Sequence, residues 1–149
     1  MSLSAQHTTT ERSGREAPKL AVVVREDLAA WQKLNVTAFL VSGFGSRDPV
    51  LIGRPYRDAS EREYLPMFAQ PVTVLGADPA AIARAFRRAL ERDLAVAVYP
   101  EVLFETYTDD DNRAAVARLA TGDLTLAGFA VCGDRRSVDK ALDKLRLHG

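Results

Sequence analysis

Two short stretches of this sequence carry side chains of the types and spacing that chemistry needs. The first holds Arg25, Asp27, Lys33, Asn35 and Thr37; the second holds Glu101 and Glu105. A carboxylate can position water or move a proton, a lysine or arginine can stabilise developing negative charge, and an amide or hydroxyl can orient a ligand. The two histidines are His7, in a polar stretch, and His148, one residue from the end, and neither falls in a patterned core segment. Hydrolysis by serine or cysteine with an imidazole base is therefore disfavoured, and so is a catalytic zinc site with its usual histidine and cysteine ligands. The inventory calls for no metal and no cofactor.

The elements that must position these groups follow from hydrophobic periodicity. Residues 20–24 (LAVVV) read as a buried strand, and residues 32–41 (QKLNVTAFLV) as the helix it feeds. In an open α/β sheet the crevice at the carboxyl end of such a strand collects helix N-termini with free N–H groups, so a ligand site is expected across residues 25–37. Gly43-Phe44-Gly45 is expected to end the helix. The same two glycines do not make a phosphate loop, because they follow a helix and no Lys-Ser/Thr completes a motif. Residues 48–70, broken by Pro49, Pro55 and Pro66, are expected to form an irregular flap or lid with a short hairpin.

Residues 71–76 read as the next strand, and Asp78-Pro79 as the start of a helix with Ile82, Ala85, Phe86, Ala89 and Leu90 on its buried stripe. Arg84, Arg87, Arg88 and Arg92 fall on its other faces, as a solvated basic surface. Residues 94–99 form a strand stopped by Pro100. Asp109-Asp110-Asp111-Asn112 precede a helical pattern (Ala115, Val116, Leu119, Ala120) and suit the free N–H groups of its first turn better than a cation site. Residues 124–132, apolar on both faces, read as a central strand. A last helix carries Val138, Ala141, Leu142 and Leu145, with Lys140, Lys144 and Arg146 late in it. The expected fold is a three-layer α/β/α sandwich around a small, mixed and mostly parallel four-stranded sheet.

Composition bounds the function classes. The chain of 149 residues fits one domain, 19–149, behind a disordered polar leader, 1–18. Twenty Lys and Arg balance twenty Asp and Glu, so no global positive field concentrates a polyanion, and nucleic acid is disfavoured as a partner. The lone Cys132 has no thiol to pair with and reads as a small buried hydrophobe. The first residues lack the apolar core of a signal peptide, and no run approaches the ~20 residues of a membrane span. A cytoplasmic location without membrane contact is expected.

Residues 22–28 (VVVREDL) followed by a lysine-bearing helix, with residues 124–130 (LTLAGFA) and the segment from Asp134 to Leu147, resemble the type 2 peptidyl-tRNA hydrolase fold. Residues 34–43 (LNVTAFLVSG) are similar to an uncharacterised bacterial domain family sharing that fold. The resemblance, over about 19–147, implies a mixed sheet between helices with its last strand antiparallel, and homodimers. It aligns Lys33 with the first lysine of the hydrolases' Gly-Lys-Gly-Lys motif, while the second lysine becomes Asn35, a glutamine becomes Phe39 and a histidine becomes Ser42. Where the hydrolases place an aspartate after the third strand, this chain has Pro100 and then Glu101. Lys33 and Glu101 are thus the catalytic candidates, and Arg25, Asp27, Asn35 and Thr37 the ligand-binding ones.

Three readings follow. The first is a module or enzyme that holds a small molecule in the crevice of Arg25, Asp27, Lys33, Asn35 and Thr37 under the flap. The second is a non-catalytic, homodimeric interaction protein using the flap or first helix, which exposed Trp31, Tyr56, Tyr64 and Phe68 would favour. The third is a retained peptidyl-tRNA ester hydrolase, which needs a basic track joining Arg84, Arg87 and Arg88 to Lys33.

Overall fold

A computed structural model describes residues 17–149; the expected leader otherwise lies outside them. The apolar run 20–24 becomes β1 (Lys19–Arg25), buried from Leu20 to Val24. A strand with two apolar faces needs cover on both. Leu20, Val22 and Val24 pack under α1 (Ala30–Arg47), while Ala21 and Val23 pack on the other side with α2 (Pro79–Leu90) and α4 (Arg135–Ala141). The result is three layers, helix on sheet on helix.

The sheet is mixed and has five strands, not the four expected. Their order is β5 (Ala95–Pro100), β6 (Leu126–Gly133), β1, β4 (Val72–Ala77) and β7 (Arg146–Leu147). Nor is it mostly parallel: β1 pairs parallel with β4, but β1 with β6, β5 with β6 and β4 with β7 are antiparallel pairs. β6, the last long strand, runs opposite to β1 and lies centrally, buried from Leu126 to Cys132. The added strand comes from the end of the chain. α4 stops at Ala141, Lys144 takes a left-handed φ of 69°, and Arg146 enters β7 opposite Gly76 instead of extending the helix.

α1 also departs from expectation. It runs through Gly43 and Gly45 to Arg47, and no glycine among the described residues has positive φ. Phe44, 4% exposed, is the third residue of the buried stripe Val36, Leu40, Phe44, and its burial offsets the helical cost of the glycines on either side. In α2, Ile82, Ala85, Phe86 and Ala89 are buried as expected, but Leu90 is exposed. Asp78 caps that helix, accepting from Ala81 N–H at 2.8 Å. In α3 (Asp109–Ala117) the three acids fill the first turn and Thr108 is the N-cap; Leu119 and Ala120 lie beyond the helix.

Residues 48–70 form a short 3₁₀ turn (Pro49–Leu51) and a hairpin of β2 (Tyr56–Arg57) with β3 (Glu63–Tyr64). The segment leaves α1 at its C-terminus and returns to β4, whose Val72 pairs with Leu20 at the start of β1. Its root is therefore at the end of the sheet opposite Arg25. Leu51 is buried, but Tyr56, Tyr64 and Met67 are exposed.

α1 approaches the sheet closely over Gly128. A Cβ there would stand 2.7 Å from the Val23 carbonyl oxygen and 3.0 Å from Val36 Cγ1. Neither backbone nor packed helix can yield that distance cheaply, so Gly128→Ala should lower unfolding stability by about 1–3 kcal/mol, read from the urea midpoint. An unchanged midpoint would show that the approach is looser.

Candidate functional site

The carboxyl ends of β1, β4 and β5 share one edge of the molecule, and β1 and β4 send their helices to opposite faces of the sheet. That divergence opens a crevice between their ends. Arg25, the last residue of β1, turns the other way, across the end of β6 toward β5. Its Nε donates to Asp27 Oδ1 at 2.7 Å and its Nη1 donates to Glu101 Oε2 at 2.9 Å. β6 separates β1 from β5, so this side chain bridges two strand spacings. Glu101 can meet it because the β5–β6 register slips at Tyr99/Pro100, where proline has no N–H to give, and Glu101 N–H then donates to Thr125 O at 2.7 Å.

Arg25 is mostly buried, 11% exposed, while both carboxylates are about half exposed. Asp27's carboxyl is held below the usual carboxylate range, chiefly by the Arg25 hydrogen bond and in part by the charge of Lys33. The structure thus brings Arg25, Asp27 and Glu101 together with Lys33 close by, and the cluster neutralises itself. Asn35 and Thr37 lie further along α1. Two residues apart on a helix they cannot share a face; Thr37 donates to the Lys33 carbonyl at 2.8 Å, and Asn35 is exposed.

Beside this cluster lies an aromatic run. Trp31 meets Phe104 edge-on at 6.3 Å, Phe104 meets Tyr99 at 5.2 Å, and Tyr99 meets Phe39 at 6.1 Å. Phe39 and Tyr99 form one wall of an open cleft of about 550 Å³ along the outer edge of β5; Leu103, Thr106, Tyr107 and Asn112 form the other. The Thr106 hydroxyl donates to Leu103 O at 2.9 Å and is hydrogen-bonded to the Asn112 side chain. No residue of segment 48–70 lines this cleft, and the root of that segment is at the far end of the sheet. Burial pushes the Tyr99 phenol up.

A second group was missed in the sequence. His148 N–H donates to Val74 O at 3.0 Å, extending the β7 pairing. Its ring and the Glu26 carboxylate lie over Gly76: a Cβ there would meet Glu26 Oε1 at 2.9 Å and His148 Cδ2 at 3.0 Å. His148 Nδ1 is 2.9 Å from Gly149 O, and Nε2 is buried with no hydrogen-bond partner among the described residues. The alternation Leu145, Arg146, Leu147, His148 was the available signal of a strand, obscured by reading the lysines as helical.

The basic track is absent. Arg84, Arg87 and Arg88 belong to α2, on the face of the sheet opposite Lys33 on α1, and Arg88 Nε donates to Ala141 O at 2.9 Å. Asp109 and Asp110 pair with Arg113, and no group of three acids, histidines or cysteines is poised for a metal among the described residues. Cys132 is buried and unpaired. No described helix is long and apolar enough to cross a membrane.

The depressed Asp27 pKa makes the cluster pH-sensitive. Its contribution to stability is present above the unfolded value of about 3.9 and is lost as pH falls through the lower folded value. Arg25→Gln should raise the Asp27 midpoint in a carboxyl NMR titration toward the ordinary range; an unmoved midpoint would mean that Arg25 does not hold it.

Residues 18–149 match the family described as a protein of unknown function, DUF2000. A solved structure, of a protein of unknown function from Agrobacterium tumefaciens strain C58, is 39% identical in sequence with a TM-score of 0.87, over 91% of this chain and 100% of that one. No curated protein matches.

Proposed function

The chain belongs to the DUF2000 family of proteins of unknown function, and from that premise we propose that it binds a small, ring-bearing molecule in the cleft between α1 and the outer edge of β5. The observation that carries this reading is the cleft itself. Its volume of about 550 Å³ is within the usual range for small-molecule sites, its rings offer faces for stacking, and Thr106 and Asn112 supply a few polar groups on the opposite wall. This reading sets the ligand beside the crevice of Arg25, Asp27, Lys33, Asn35 and Thr37 instead of in it. Arg25 already spends two donors on Asp27 and Glu101, which favours a bracing role for it over anion capture.

A thermal-shift series of aromatic amides and alcohols tests the proposal. A member that stabilises the protein should bind about tenfold more weakly to Phe39→Ala, because one stacked ring contributes roughly 0.5–1.5 kcal/mol beyond its buried area. Phe39 is 59% exposed, so the substitution should leave the fold intact. A panel without a single shift, or equal affinity of parent and variant, would refute the reading.

A second reading rests on the place of Lys33, at the start of α1 just after the Arg25–Asp27 turn. The chain order of the long strands and the reversed β6 support kinship with type 2 peptidyl-tRNA hydrolases, in which Lys33 would stabilise charge and Glu101 or Asp27 position water. Because the arginines of α2 face away from Lys33, the expected result is no hydrolysis of peptidyl-tRNA. Turnover abolished by Lys33→Ala would restore the hydrolase.

A further inference from the structure

β5 is an edge strand, and the cleft described above runs along its outer side. The direction of its main-chain groups follows from one hydrogen bond. Glu101 N–H is spent inward, on Thr125 O at 2.7 Å. The N–H and C=O groups of an extended chain alternate sides, so those of Tyr99, Ala97 and Ala95 face β6 as well, and those of Val96 and Val98 face out. Pro100 falls at the next outward place, where a strand loses nothing by lacking an N–H. Among the described residues nothing hydrogen-bonds to Val96 or Val98 on that side. Their side chains pack with the core on α2's face of the sheet, yet Val98 lines the cleft, so what it offers there is main chain.

An apolar edge left open is ordinarily a liability, and proteins shorten it, charge it or cover it. The opposite edge follows that rule, since β7 has two residues and one of them is Arg146. β5 has six residues and no charge. Resting on the cleft reading above, we propose that the ring-bearing ligand is a peptide, an extended segment that adds to the outer edge of β5 as an antiparallel strand. Antiparallel is the sense in which β5 already pairs with β6, and it is the slightly more stable of the two. Main-chain bonds to Val96 and Val98 give the affinity, and alternate side chains give the specificity. A residue opposite Val98 exchanges two hydrogen bonds with it, and the residues on either side of that one point to α1's face, where Phe39, Tyr99 and Leu103 lie. An aromatic side chain finds rings there to pack against. Charge selects its neighbour on the same face. The ionised residue lining the cleft is Asp109, and Asp110 and Asp111 follow it in α3 against the single cation Arg113, so that neighbour is basic.

The probe is acetyl-Phe-Val-Lys-Val-Phe-amide, whose valines supply the main-chain groups that face β5 and whose other side chains enter the cleft. In amide exchange followed by NMR, Val98 of the free protein should exchange about tenfold faster than Ala97 and Tyr99, and saturating peptide should slow it about tenfold. Methylating both valine nitrogens of the peptide removes the donors to Val96 and Val98 and should weaken binding about tenfold. Glutamate in place of the peptide's lysine should weaken it as well. A Val98 amide already protected in the free protein overturns the proposal. So does exchange at Val98 that the peptide leaves unchanged, or undiminished affinity of either altered peptide. If small aromatic amides bind and lose affinity in Phe39→Ala while the peptide does not bind, the cleft reading stands and the strand addition falls; if neither binds, both fall.

Discussion

β1 takes hydrogen bonds from both sides, parallel to β4 and antiparallel to β6, and buries both of its faces. Five consecutive apolar residues admit no other solution: Leu20, Val22 and Val24 demand α1 above them, and Ala21 and Val23 demand α2 and α4 below. Once the strand is central, Arg25 arrives at the sheet's carboxyl edge with nowhere to go but across the end of β6. The Asp27–Arg25–Glu101 bridge follows from strand order as much as from charge. Pairs this exposed on the carboxylate side contribute little individually, so the bridge is better understood as fixing the turn into α1 relative to the turn out of β5 than as a main source of stability.

The sequence disclosed the elements whose signals are local. Strand runs, the Asp78-Pro79 cap and the hairpin within 48–70 all appear where periodicity and turn chemistry put them. What remained hidden depended on tertiary partners. Gly43 and Gly45 look like a helix end until Phe44 is known to be buried, and the basic residues near the end look helical until Lys144 turns and Arg146 finds β4. Parallel against antiparallel pairing is likewise not written in any one strand, because a covered strand reads the same in either direction.

The site was legible to the same extent. Arg25, Asp27 and Glu101 do meet, as their places at strand ends suggested, while Asn35 and Thr37 point apart from each other because two residues on a helix do not share a face. The aromatic run could not be foreseen: Trp31, Phe39, Tyr99 and Phe104 come from α1, β5 and the turn that follows it, and only packing of that helix against the sheet edge aligns their rings. His148 was missed for a related reason. Its ring is seated by β4 and by the absence of a side chain at Gly76, neither of which is near it in sequence.

β1 is made early and completed late. As the chain leaves the ribosome, β1 emerges early, yet its antiparallel neighbour β6 lies about a hundred residues downstream, with Lys19 opposite Gly133. Until synthesis has passed β6, one whole side of this apolar strand stays without hydrogen-bond partners, and its pairing is limited to β4. The sheet cannot be assembled before β6 is made, and the waiting interval is when this protein would most depend on chaperones.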